Sequence, residues 1–279
     1  FDTENHNLAI GTNALGGSVA GAEYNVGIGN YALQALTSGD FNTTLGYHSG
    51  TNLSTGQQNV FIGYQAGKEA TTADGCTVVG RFAGGAGGTM TGNLNTFIGN
   101  SAGAVVTSGA NNTFVGSSAG AALNTGSDSV AIGFGAADAS TTMGRFVAIG
   151  YGAMGTGVGT TANSYNIAIG YDSLKAITSG NNNIAIGVDA NKGADGESNN
   201  LAIGSTALGS TSINGAEYNV AVGNNTLDAI TSGDGNTAIG NEALTDCTSG
   251  AGNTALGAVA GDNLTTGGQN LFLGQDTKV

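Results

Sequence analysis

A five-residue pattern, Asn-x-small-aliphatic-Gly, returns sixteen times along this chain of 279 residues and permits very few architectures. It first reads Asn7-Leu8-Ala9-Ile10-Gly11 and last Asn270-Leu271-Phe272-Leu273-Gly274. The closing glycines are 11, 29, 46, 63, 80, 99, 116, 133, 150, 170, 187, 204, 223, 240, 257 and 274. Eleven of the fifteen intervals are 17 residues, and the others are 18, 19, 20 and 19. A fixed period of this length marks a repeat protein whose units pack only on their neighbours. The predicted fold is all-β, a parallel β-roll or β-solenoid of about 16 coils, one per 17-residue repeat. Residues 1–279 read as a single repeat domain and as a segment of a longer fibre.

Composition removes the rivals. Glycine supplies 52 residues and proline none, which excludes collagen, whose three-residue glycine period comes with abundant proline. A disordered low-complexity chain would lack the ordered aliphatic positions. Six Lys plus Arg against a net charge of −13 cannot neutralise a phosphate backbone, so no nucleic-acid partner is expected. No apolar run approaches the ~18 residues of a membrane span, so no membrane insertion is expected in this segment. The two cysteines, Cys76 and Cys247, lie ten repeats apart, too far for a bridge within one chain.

Within the pentad, the second and fourth residues are aliphatic or threonine, as in Val26 and Ile28 or Ile184 and Ile186. Alternation puts them on one face of a strand, and they are expected to fill the coil interior. Asparagine, at the head of thirteen copies, suits a repeated corner because it tolerates left-handed backbone. Nine copies also carry Ser-Gly or Thr-Gly seven residues before the closing glycine, which predicts an opposite turn and a second short strand. The third residue is never charged: it reads Phe61, Val78, Phe97, Phe114, Ala131, Ala148, Ala168, Ala202, Ala238 and Phe272 among others. Its bulk is matched six residues later, with Gly67, Gly103 and Gly120 after phenylalanine and Leu174, Leu208 and Leu244 after alanine. Matched volumes belong in one close-packed layer. The third residue is expected to face outwards, so that layer lies between identical chains, and the ten residues just named form the interface.

These residues resemble the head repeats of trimeric autotransporter adhesins, Asn-Ser-Val-Ala-Ile-Gly. Ser129-Val130-Ala131-Ile132-Gly133 and Phe146-Val147-Ala148-Ile149-Gly150 come nearest. The stretches from Ser232-Gly233 to Gly240 and from Ser249-Gly250 to Gly257 are similar to arrays in bacteriophage tail fibres. The resemblance covers essentially the whole chain. It implies a parallel β-roll, left-handed in the adhesins, with three chains about one axis.

Chemistry finds little to work with. His6 and His48 are read as having no carboxylate or thiol at ligand spacing, and no serine, histidine and acid are assembled, so no catalytic or metal site and no cofactor is expected. Asp74-Gly75, Asp195-Gly196 and Asp234-Gly235 read as turns without the alternating acids of a calcium loop. Extra residues in the long repeats fall at 16–24, 84–94, 155–165 and 209–218, and three of these end in Tyr24, Tyr165 and Tyr218. Insertions in solenoids project on one face, so these tyrosines are candidates for contact with a cell-surface receptor or glycan. The expected function is a non-enzymatic, homotrimeric attachment shaft on a virion or bacterial cell surface. A second reading is an extracellular filament that self-associates end to end. A third, ice binding, needs a flat threonine row. Thr43, Thr77, Thr96, Thr113, Thr237 and Thr254 share one position, there expected to face inwards.

Overall fold

The computed structural model describes residues 5–19, 21–85, 87–157 and 165–278. Over these the chain is a parallel β-solenoid of about sixteen turns, with no helix among the described residues. It divides into two compact units, Phe1–Thr142 and Met143–Val279. The first unit carries β1 (Leu8–Ile10), β2 (Val26–Ile28), β3 (Thr43–Leu45), β4 (Val60–Ile62), β5 (Thr77–Val79), β6 (Thr96–Ile98), β7 (Thr113–Val115) and β8 (Val130–Ile132). The second carries β9 (Val147–Ile149), β10 (Ile167–Ile169), β11 (Ile184–Ile186), β12 (Leu201–Ile203), β13 (Val220–Val222), β14 (Thr237–Ile239), β15 (Thr254–Leu256) and β16 (Leu271–Leu273). Within each unit every strand pairs in parallel with the next, so like pentad positions stack: Phe61 on Val78, Phe97 on Phe114, Ala168 on Ala185.

The two faces of the strand are the reverse of the sequence expectation. Phe61, Val78, Phe97, Phe114, Ala131, Ala148, Ala168, Ala202 and Ala238 are fully buried, and Phe272 is 6% exposed, all within one chain. These ten residues line the coil's own interior, so they do not form a surface between chains. The physical reason is the turn after the closing glycine, which folds the size-matched partner back over its own strand. A β-carbon added to Gly67 would lie 2.7 Å from the Phe61 ring, one on Gly103 would lie 2.8 Å from Phe97, and one on Gly120 would lie 2.5 Å from Phe114. Size compensation is real, but the layer it fills is inside. Each phenylalanine so buried contributes about 1.5–3 kcal/mol.

The opposite side of the coil is also not as expected. No second strand forms among the described residues: the segment after each closing glycine is a run of turns. Left-handed residues recur two and four positions past the glycine, as at Tyr31 (φ 63°) and Leu33 (φ 51°) or Glu242 (φ 58°) and Leu244 (φ 51°). Extended backbone cannot accommodate that alternation. The closing glycine itself is required twice over. Gly63 has φ 132°, and a β-carbon there would sit 2.6 Å from the Gly80 carbonyl oxygen of the next coil.

Asparagine does not take the left-handed corner, which falls one residue earlier, at Tyr24 (φ 58°), Phe41 (φ 59°) and Gln58 (φ 59°). The asparagine side chain instead turns inwards and bonds coil to coil. Asn42 donates from Nδ2 to Asn25 Oδ1 (3.0 Å) and to the Gly56 carbonyl (2.9 Å), while its own Oδ1 accepts from the Asn59 backbone N–H (3.1 Å) and Nδ2 (2.9 Å). Asn236 repeats the pattern in the second unit. A buried amide is tolerable only when satisfied, and this ladder satisfies it. Cys76, in the asparagine position, still donates its N–H to Asn59 Oδ1 at 2.9 Å.

Candidate functional surface

Because the third pentad residue points in, the second and fourth point out. The outward pair is Val60 and Ile62 in β4, Thr96 and Ile98 in β6, Ile184 and Ile186 in β11, and Thr237 and Ile239 in β14. None of the 32 residues in these two columns is charged; 26 are aliphatic and six are threonine. Each unit therefore presents an uncharged sheet face, with Leu45, Ile98, Ile132, Ile186, Ile203 and Leu256 each more than a third exposed. The threonine row expected inside the coil lies on this outer face, half-buried at Thr77, Thr96 and Thr113 and exposed at Thr43.

Aromatic rings edge the face on both sides. One column directly precedes the asparagine and holds His6, Tyr24, Phe41, Tyr165 and Tyr218. The other directly follows the closing glycine and holds Tyr47, Tyr64, Phe134, Tyr151 and Tyr171. Every large apolar side chain found exposed among the described residues lies in one of these four columns. Most of the charge lies elsewhere around the coil. Lys68 pairs with Glu69 (3.1 Å), Lys175 with Asp172 (2.7 Å) and Lys192 with Asp189 (2.8 Å), all on the turn side. The surface is thus segregated by the repeat itself, apolar over the strands and ionic over the turns.

The three tyrosines expected on projecting loops sit in the regular left-handed column. Tyr24 stacks between His6 (4.8 Å) and Phe41 (5.2 Å). Tyr165 lies under the Arg145 guanidinium at 5.9 Å, and Tyr218 is 62% exposed. Tyr165 and Tyr218 are three strands apart in one unit, so that unit does not gather them into one site, and Tyr24 belongs to the other unit. Of the long repeats, residues 20, 86 and 158–164 lie outside the described ones.

Candidate chemical groups have structural employment. His48 stacks on Tyr31 at 4.5 Å and meets Thr51 Oγ1 at 3.1 Å; partial burial and the Lys68 charge lower its pKa. Glu197, 6% exposed, accepts N–H bonds from Asp195 (2.7 Å), Gly196 (3.1 Å) and Gly215 (2.9 Å), tying down the 209–218 insertion. Cys76 and Cys247 are free, buried thiols, and burial raises both pKa values. Among the described residues no three of His, Cys, Asp and Glu gather as metal ligands. Nor is any helix long and apolar enough to cross a membrane.

Compared with known proteins, the chain matches no family model, no curated sequence and no solved structure at a significant level.

Proposed function

We propose that this chain is a non-enzymatic structural element of an extracellular attachment fibre, on a virion or bacterial cell surface, whose copies pack sheet face to sheet face as a homotrimer. One observation carries the reading: an outward sheet face with no charge in either column. Eight strands at ~4.8 Å spacing and about 10 Å of strand length give roughly 380 Å² per unit. That already reaches the largest patch normal on a monomer, about 300–600 Å². A single unit's face is thus about half the ~800 Å² per partner of a stable interface. The likeness of the pentad to adhesin-head and tail-fibre repeats supports the same arrangement. The exposed aromatic margins are then the surface left for a receptor or glycan.

The test is sedimentation of the wild type beside Ile98→Glu/Ile203→Glu, one change per unit on the sheet face. A trimer that the double change reduces to monomer, with unaltered far-UV circular dichroism, is the expected result. A wild type that stays monomeric at high micromolar concentration overturns the proposal. In that event the outward threonine row favours the third reading, ice binding by the bare face. Inhibition of ice recrystallisation, lost in Thr96→Lys, tests it.

A further inference from the structure

The column that follows the closing glycine carries tyrosine four times, and always in consecutive coils: Tyr47 with Tyr64, and Tyr151 with Tyr171. Parallel stacking in register turns this spacing into ring pairs. Tyr47 and Tyr64 have centroids 5.6 Å apart and planes 12° apart, and Tyr151 and Tyr171 are at 5.2 Å and 8°. All four are exposed, at 44%, 44%, 52% and 50%. Exposed, nearly parallel phenol rings are therefore held one coil apart.

We propose that these two pairs are sites of oxidative cross-linking, in which a dityrosine bond staples one coil to the next. The oxidant is a one-electron acceptor of the haem-peroxidase class with hydrogen peroxide. Each phenol gives up one electron and its hydroxyl proton, leaving a ring-delocalised radical. The two radicals combine through the ring carbons beside the hydroxyls. Each of those carbons then passes its hydrogen to the adjacent oxygen, which restores the two phenols. In sum, two electrons and two protons leave the pair and convert one peroxide to two waters.

Pairing in one exposed column is what makes the reaction local. Radical coupling requires two rings to meet while both are oxidised, and proximity fixed by the fold supplies the needed effective concentration. The other tyrosines are placed differently. Among the described residues, none of Tyr24, Tyr31 and Tyr165 stacks in parallel on a tyrosine. Tyr24 lies between His6 and Phe41, Tyr165 lies under Arg145, and Tyr31 stacks on His48 and meets Tyr47 only edge-on, at 6.0 Å and 88°. Tyr47 also meets His48 edge-on, and Tyr64 meets Phe82 edge-on. A bond from Tyr47 to Tyr64 closes a loop of 17 residues, and one from Tyr151 to Tyr171 a loop of 20. Each forbids the separation of neighbouring coils, the step by which a solenoid unravels. The inference depends only on the geometry within a chain, and it stands or falls independently of how the sheet face is covered.

The experiment treats dilute purified protein with a haem peroxidase and hydrogen peroxide, then maps the products by peptide mass spectrometry. Expected are intrachain links 47–64 and 151–171, each with a loss of two hydrogen atoms, and resistance of the treated protein to thermal unfolding. Tyr64→Phe should abolish the first link and leave the second, and Tyr171→Phe the reverse. The absence of dityrosine overturns the proposal. So do links that join mainly separate chains, or that involve mainly Tyr24, Tyr31, Tyr165 or Tyr218.

Discussion

Moving bulk between Phe114 and Gly120 tests the interior packing most directly. Phe114 is fully buried and stacks on Phe97 at 5.2 Å, so Phe114→Ala should cost about 3–5 kcal/mol. Gly120→Leu alone forces a side chain where a β-carbon is already 2.5 Å from the Phe114 ring. Overpacking costs about 1–3 kcal/mol there, and a left-handed leucine about 1–2 more. If the sites were independent, the double variant would lose roughly 5–10 kcal/mol, enough to unfold most domains. They are not independent. In the double variant the leucine enters the space left by the ring, an arrangement that Leu244 (φ 51°) and Ala238 already show, both fully buried. What remains is the left-handed strain and a lost ring stack, about 1.5–3.5 kcal/mol together.

The double variant should therefore be at least as stable as Phe114→Ala, with a coupling of about 3 kcal/mol or more. Urea unfolding followed by circular dichroism measures the three variants. Hydrogen exchange over β7 and β8 localises the effect, since long repeat arrays need not unfold in one step. Additive losses would show that the third pentad column and its partner six residues on do not share a layer. By the same logic Phe114→Asp should open its own coil, and any change in assembly should follow from that.

Two further changes test the polar exceptions. Asn191 (φ 47°) is fully buried in the column that holds Leu174 and Leu208, and neither end of its amide meets a partner; Asn191→Leu should stabilise by about 1–2 kcal/mol in urea unfolding. Asp228 has its pKa raised, first by burial and then by the Asp246 charge, so folding favours its protonated form. Its favourable contribution is present at low pH and is lost as pH rises through the folded pKa. Asp228→Asn should accordingly raise Tm near neutral pH, and the gain should vanish below the ordinary carboxylate range.

The period, the strand position and the number of coils were legible because each coil repeats the same steric demand, most plainly at the closing glycine. Which face of the strand looks inwards was not legible from alternation. In β4, alternation groups Val60 with Ile62 and separates both from Phe61, but it does not say which set is inside. Lack of charge could not decide either, because both faces lack it. The asparagine misled for a related reason: corner chemistry accounted for it locally, so nothing in one repeat pointed to the bond from Asn42 to Asn25 in the coil before.

A deciding signal was nonetheless present, in the variance of the columns. The third pentad residue ranges from Gly27 to Phe61, and each extreme is compensated six residues later in the same chain. Compensation over so short a loop can be made only by that loop closing on its own strand, which places the variable column inside. The second and fourth residues hold a nearly constant size from β2 to β15, with no partner column in the repeat that varies against them. A column that faces away from its own coil has no local partner against which its size must be corrected. The same criterion separates core from interface in any solenoid whose strands are apolar on both sides. Here it assigns Phe61, Phe97 and Phe114 to the core, and leaves the Val60–Ile62 face outside it.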